Sequence, residues 1–271
     1  MKFTLSAAFA PVTALPQIAI AADEAGWAMI TMSDHVVNPK ELKTPYPYTP
    51  DGARRWPEKT DWPDQLVTMG AFSTITRNIR FTTNAFVLPM RSPYMVAKAL
   101  ATISVLSGGR VVLTSGVGWS RDEFEIVGQD FSTRGKRTDE MVEIMKLLWT
   151  GDYVEYHGKY YDFPPLEMNP VPVAPIPFWF GGISDAALKR VGRIGDGWLT
   201  DLQPAAEIVA WPLLPCIPEK IQSLGWISSL PVRFMTGYLS PAQVIEQPGF
   251  RSIQASKATL PLGSSPGPSG G

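Results

Sequence analysis

The chain has 271 residues, 45% of them hydrophobic and 18% charged, and a formal net charge of −1. That length and balance suit one large α/β domain with a substantial core, and the near-zero charge excludes an electrostatic footprint for nucleic acid or for an anionic membrane surface. A single cysteine, Cys216, excludes an internal disulfide framework and a cysteine-built metal cluster, which suits a cytoplasmic protein.

Strands and helices alternate along the chain. Residues 3–9 are expected as a strand and 15–25 as a helix closed by Gly26, with Ile18, Ala21, Ala22 and Ala25 at helical spacing. Pro11 and Pro16 interrupt the apolar N-terminal run, which favours this reading over a secretory signal. No apolar run approaches the ~20 residues that a membrane span needs. Residues 27–32 read as a buried strand ending in Ser33-Asp34-His35. Residues 36–60 contain Pro39, Pro45, Pro47, Pro50 and Pro57 and read as a long loop. Tyr46, Tyr48 and Trp56 mark that loop as a lid over a substrate rather than a disordered segment.

A helix over 63–77 and a strand over 80–88 follow. Ser92-Pro93 opens a helix over 93–106, and Gly108-Gly109 stops it. The strand over 110–115 leads into Gly116-Val117-Gly118-Trp119, and an irregular stretch runs from there to about 131. The next helix is expected over 137–149. Residues 153–157 and 159–163 flank Gly158 as a hairpin, and 164–177 is a proline-rich connection. The strand over 178–180, Gly181-Gly182-Ile183-Ser184, the helix over 185–194 and the strand over 198–202 complete the series.

Six strand–helix units imply parallel βαβ packing. At this spacing they point to an α/β fold of the (β/α)8 TIM-barrel type, with a doubly wound sheet as the competing architecture. Residues 201–271 differ: they hold eight charged residues and ten prolines, whereas charges are about twice as frequent before them. Pro204, Pro212, Pro215 and Pro218 break the helix due there. Residues 230–239 allow one more strand, and 261–271 is rich in Pro, Gly and Ser. The domain organisation expected is a barrel over 1–240, regular to about 201 and incomplete or irregular after the sixth strand, then a disordered tail over 241–271.

His35 is one of only two histidines. It follows a strand at its C-terminal end, where α/β folds place reactive groups. Its ordinary pKa lets an imidazole move protons in either direction near neutral pH. Asp34 is expected to orient the imidazole or raise its basicity, or else to serve only as a turn former. Gly181-Gly182 lets backbone approach an anion, and Ser184 would cap a helix whose free N–H groups favour phosphate. Glycines 116 and 118 permit backbone contact with a flat ring that Trp119 would wall. Asn84, within an apolar strand, needs a hydrogen-bond partner. Arg134, Arg137 and Glu140 read as structural ion pairs, His157 as a surface residue, and no metal-ligand spacing is present.

Seven stretches in order carry a resemblance: Met32-Ser33-Asp34-His35-Val36-Val37, Pro45 through Gly52, Val87-Leu88-Pro89-Met90-Arg91-Ser92-Pro93, Leu106 through Arg110, Gly116-Val117-Gly118-Trp119, Phe131 through Glu140, and Phe180 through Ser184. Over residues 1–201 the chain resembles the luciferase-like monooxygenase superfamily, and within it the oxidoreductases that use coenzyme F420. The resemblance implies a TIM-type barrel with a flavin-like cofactor at the C-terminal ends of the strands. It implies His35 beside the reactive ring as acid/base, Gly181, Gly182, Ile183 and Ser184 at the cofactor phosphate, and Gly116, Val117, Gly118 and Trp119 at the ring. It also implies a non-proline cis peptide at Asn84-Ala85 behind the ring. The leading function is hydride transfer between F420 and a small-molecule substrate. The alternatives are an FMN-dependent monooxygenase using reduced flavin and oxygen, and a non-catalytic truncated barrel. A homodimer is compatible with any of these.

Overall fold

The computed structural model describes residues 2–200. The expectations for Cys216, the proline-broken helix, the strand over 230–239 and the tail over 241–271 lie outside the described residues.

Six parallel staves are built in chain order. Thr4–Ser6 (β1) pairs with Met29–Met32 (β2), and β2 with Arg80–Thr83 (β3). Phe86–Val87 (β4) pairs with Leu113–Gly116 (β5), β5 with Phe178–Gly181 (β8), and β8 with Gly197–Leu199 (β9). Val154–His157 (β6) and Asp162–Leu166 (β7) form a separate antiparallel hairpin. The expected strand over 80–88 is therefore two pieces, β3 and β4, which share one stave but head separate sheets. Between them the Asn84-Ala85 peptide is cis, as the resemblance implied. A bridge from Phe81 to Val111 joins the sheets. Among the described residues β9 has no pairing back to β1, so the barrel is not closed by them.

The helices between staves are Leu15–Glu24 (α1), Gln65–Ile75 (α2), Pro93–Ser107 (α3), Arg121–Ile126 (α4), Arg134–Leu148 (α5) and Asp185–Ile194 (α6). Local chemistry explains their ends. Asp64 Oδ1 accepts from Val67 N at 2.9 Å to start α2, and Gly108, at φ 66°, stops α3. Ser92 precedes α3 with Pro93 at its first position but makes no side-chain cap. The stretch expected to be irregular contains α4, capped by Ser120, whose Oγ accepts from Glu123 N at 3.3 Å. The expected ion pairs of the next helix are corrected as well. Arg137 donates to Pro89 O at 2.7 Å and Arg134 to Gly118 O at 3.1 Å, while Glu140 accepts from the N–H groups of Lys159, Tyr160 and Tyr161. These side chains tie backbone rather than one another. The ion pairs on that face join Asp139 to Arg190 and Arg193.

Both faces of the staves are covered, as parallel sheets require. Ile30, Phe81, Leu113, Phe178 and Phe180 pack with helix residues such as Phe72, Leu100 and Met141 in the main core. Met29, Val112 and Trp179 form a second cluster. By strand alternation Thr31, Thr82 and Thr114 share the face of that second cluster, and the hydroxyls of Thr82 and Thr114 lie 2.7 Å apart. Among the described residues no helix is long and apolar enough to cross a membrane.

Candidate active site

The C-terminal ends of the staves gather the residues singled out in the sequence. Ala85 is the hub. A Cβ built on Gly116 would lie 3.3 Å from the Ala85 methyl, and one on Gly181 would lie 3.7 Å from it. Glycine at 116 and 181 thus leaves a floor of small groups where β4, β5 and β8 end. Gly118 adopts φ +81°, and its Cβ would fall 2.6 Å from Val87 Cγ1 and 2.8 Å from Phe124 Cε2. Only glycine takes this conformation in the turn after β5 without backbone strain and a displaced neighbour. Half-buried Asn84 donates its backbone N–H to Met32 O at 2.8 Å, but its side chain has no hydrogen-bond partner among the described residues.

Asp34 does not serve the imidazole. Its two oxygens take a bidentate pair from Arg91, both at 2.7 Å, and Oδ2 also accepts from Val87 N at 2.8 Å. Asp34 pins the end of β2 to the turn after β4, so the expectation that it orients His35 is corrected. The partner of His35 is a residue that the sequence reading passed over. His35 Nδ1 lies 2.8 Å from Glu123 Oε2 in a pair whose side chains are 10% and 4% exposed. The other oxygen, Oε1, accepts from Val36 N at 3.0 Å and from Val37 N at 3.5 Å. Ser120-Arg121-Asp122-Glu123 has the spacing of a capping box. That signal places α4 but directs the Glu123 side chain to Ser120, whereas in the fold it reaches across to His35.

An aromatic box surrounds the imidazole. Its centroid is 4.8 Å from that of Trp56, 4.6 Å from Trp62 and 6.0 Å from Trp119, and Tyr46 stacks edge-on to Trp56 and Trp119 at 5.1 and 5.2 Å. Tyr46 and Trp56 are buried, whereas Tyr48 is 44% exposed on the outside. Trp62 was not foreseen. The indole N–H groups of Trp56 and Trp62 are buried without an acceptor among the described residues. Residues 33–64 contain no helix or strand. They are held by Glu123 at Val36 and Val37, by Asp122 Oδ2 accepting from Thr44 N at 2.8 Å, and by their own bonds, such as Arg55 Nη2 to Tyr46 Oη at 2.7 Å. A small cleft beside this box is lined by Asp34, His35, Met90, Gly118, Trp119 and Glu123.

Gly181-Gly182-Ile183-Ser184 lies on the same rim. Ser184 Oγ accepts from Ala187 N at 3.3 Å and caps α6, and Trp198 Nε1 donates to Gly182 O at 3.0 Å. Residues 183–186 are exposed, and Asp185 sets a negative charge in the first turn. His157 is on the surface, 2.6 Å from Asp162. Among the described residues no three His, Cys, Asp or Glu side chains are grouped to hold a metal.

Comparison with known proteins matches residues 3–212 to the luciferase-like monooxygenase family. An uncharacterized protein of Mycobacterium bovis is 39% identical over 199 residues, covering 73% of this chain and 69% of its own. An F420-dependent glucose-6-phosphate dehydrogenase of Nakamurella multipartita is 29% identical over 214 residues, 78% of this chain, of which it spans 58% of the relative's length. Among solved structures, an F420-dependent secondary alcohol dehydrogenase in complex with an F420-acetone adduct superposes with a TM-score of 0.66 at 24% identity, over 83% of this chain and 66% of that one. At that identity the superposition speaks for the fold.

Proposed function

This chain belongs to the luciferase-like monooxygenase family, and on that premise we propose that it is an oxidoreductase of the F420-dependent kind, acting on a small organic alcohol or carbonyl compound with His35 as proton acceptor and donor. The observation that carries the reading is the convergence of His35 at the end of β2 with the Ala85, Gly116 and Gly181 floor at the ends of β4, β5 and β8. Relatives named as F420-dependent dehydrogenases support the choice of coenzyme.

The residues present fit such a group. The small-residue floor accommodates a flat ring, and the buried indole N–H groups of Trp56 and Trp62, which have no acceptor among the described residues, are donors available to it. Gly182 and the exposed first turn of α6 offer N–H groups to a phosphate, against which Asp185 acts as a local repulsion. When bound, the deazaflavin supplies two-electron hydride exchange. The rest falls to the chain. His35 takes the proton that a substrate hydroxyl releases and returns it in the reverse direction. Trp56, Trp62 and Tyr46 exclude water around that transfer.

Titration of the purified protein tests the reading. Quenching of F420 fluorescence is expected. Flavin absorbance with oxygen consumption on FMN, and no F420 binding, would overturn the coenzyme assignment. H35A should leave coenzyme affinity within a few-fold and lower turnover by about 10²-fold or more. Unchanged turnover would remove His35 from the chemistry.

A further inference from the structure

We propose that Glu123 is the positioning residue that fixes the tautomer of His35, holding the ring proton on Nδ1 and leaving Nε2 as the basic nitrogen of the neutral ring. The kinetic consequence of this assignment rests on His35 acting as acid and base; the tautomer itself does not.

Donor and acceptor counting carries the argument. Oε1 of Glu123 faces two backbone N–H groups, those of Val36 and Val37, so it can only accept. Oε2 faces His35 Nδ1 at 2.8 Å. A carboxylate has no proton to give, so the ring nitrogen brings it. Nothing else among the described residues competes for that proton. The indoles of Trp56, Trp62 and Trp119 around the ring carry donors only. Asp34, the adjacent carboxylate, is committed to Arg91 and Val87 N. Among the described residues Nε2 has no hydrogen-bond partner, which leaves it to the substrate.

The clamp is built to be rigid. Ser120 caps α4 through Glu123 N, so the Glu123 backbone is fixed while its side chain remains free for the imidazole. The carboxylate is 4% exposed, which keeps water from replacing it. In the oxidative direction the substrate O–H proton would pass to Nε2, and F420, when bound, would supply the acceptor for the accompanying C–H hydride as the alcohol becomes a carbonyl. The imidazolium so formed is already bonded through Nδ1–H to an anion, a charge-assisted contact that strengthens as the proton arrives.

Only two histidines are present, and His157, also 2.6 Å from a carboxylate, is on the surface with a 66% exposed side chain, so the imidazole ¹⁵N resonances that persist in H157Q are those of His35. Long-range ¹H–¹⁵N spectra of the full chain, at a pH where both rings are neutral, should show His35 protonated on Nδ1. E123Q keeps shape but replaces one oxygen by NH₂. The Val36 and Val37 N–H groups claim the amide oxygen, the NH₂ then donates to Nδ1, and the ring proton moves to Nε2. E123A, with no acceptor for Nδ1, should shift in the same direction. In E123Q turnover should fall about 10²–10⁴-fold while coenzyme affinity stays within a few-fold. An Nε2–H ring in the wild type, or an unchanged tautomer in both variants, overturns the proposal. A switched tautomer with unchanged turnover upholds Glu123 as the positioning residue and refutes His35 as acid and base.

Discussion

The Asp34–Arg91 pair offers an asymmetric test of what holds the end of β2 in place. Both contacts are 2.7 Å, but the Asp34 side chain is 2% exposed and that of Arg91 17%. Removing the guanidinium in R91A strands a carboxylate at a dry site with only the Val87 N–H for support. Breaking a buried pair this way costs about 3–5 kcal/mol. R91A also removes the guanidinium lying 4.2 Å from the centre of the Phe86 ring. In D34A the stranded group is the more accessible guanidinium, which still donates to Val87 O at 3.1 Å and can recruit water. Its cost should be lower, about 2–3 kcal/mol. At about 2–4 °C per kcal/mol for a domain of this size, R91A should lower Tm by about 6–20 °C and D34A by about 4–12 °C. Urea unfolding of the wild type, both single variants and the double variant gives the order and the coupling. The double variant should be less destabilised than the sum of the singles by at least about 1 kcal/mol. An R91A loss below about 1 kcal/mol, a larger loss in D34A, or simple additivity would refute the reasoning.

G118A places a methyl 2.6 Å from Val87 Cγ1 and 2.8 Å from Phe124 Cε2 at a residue with φ +81°. It should destabilise by about 2–4 kcal/mol in urea unfolding, and a neutral outcome would mean that the turn after β5 is built differently. Asp23 accepts from the N–H groups of Arg77, Asn78 and Ile79. Burial opposes its charge, but those three donors and the attraction of Arg110 outweigh it, so its pKa is held below the ordinary 3.8. A lowered folded pKa means stabilisation that is complete above 3.8 and is lost as pH falls through the folded value. The stability gap between wild type and D23N should therefore be constant near neutrality and close below pH 3.8, and a gap independent of pH would sink the account.

Much of this arrangement was legible because it is local. The helix over 185–194 matches α6 residue for residue, since Ser184 supplies its cap and Gly195 its end. Gly108 stopped α3 where a left-handed residue was needed. Long-range pairing was not legible. Asp34 meets Arg91 across 57 residues and His35 meets Glu123 across 88, and no periodicity encodes either. The sequence neighbour of His35 was the obvious orienting group and proved to be an anchor for the backbone. The lid aromatics Tyr46 and Trp56 were recognisable by type, but Trp62 was not, because it falls in the approach to α2 rather than inside the proline-rich run.

The two carboxylates of α4 also bear on how such a protein can diversify. Glu123 grips the loop at Val36 and Val37, Asp122 grips it at Thr44, and the stretch beyond is cross-linked internally, with Tyr46 N donating to Gly52 O at 2.8 Å and Thr49 Oγ1 to Ala53 O at 2.7 Å. The segment from 45 to 55 is thus an exchangeable cassette mounted on a fixed socket. Recombination between relatives at residues 44 and 56 would trade loop sequences on the same staves and the same Glu123 mount, provided that position 46 keeps an aromatic ring against Trp56 and Trp119 and position 54 keeps its bonds to Asn38 and Lys40.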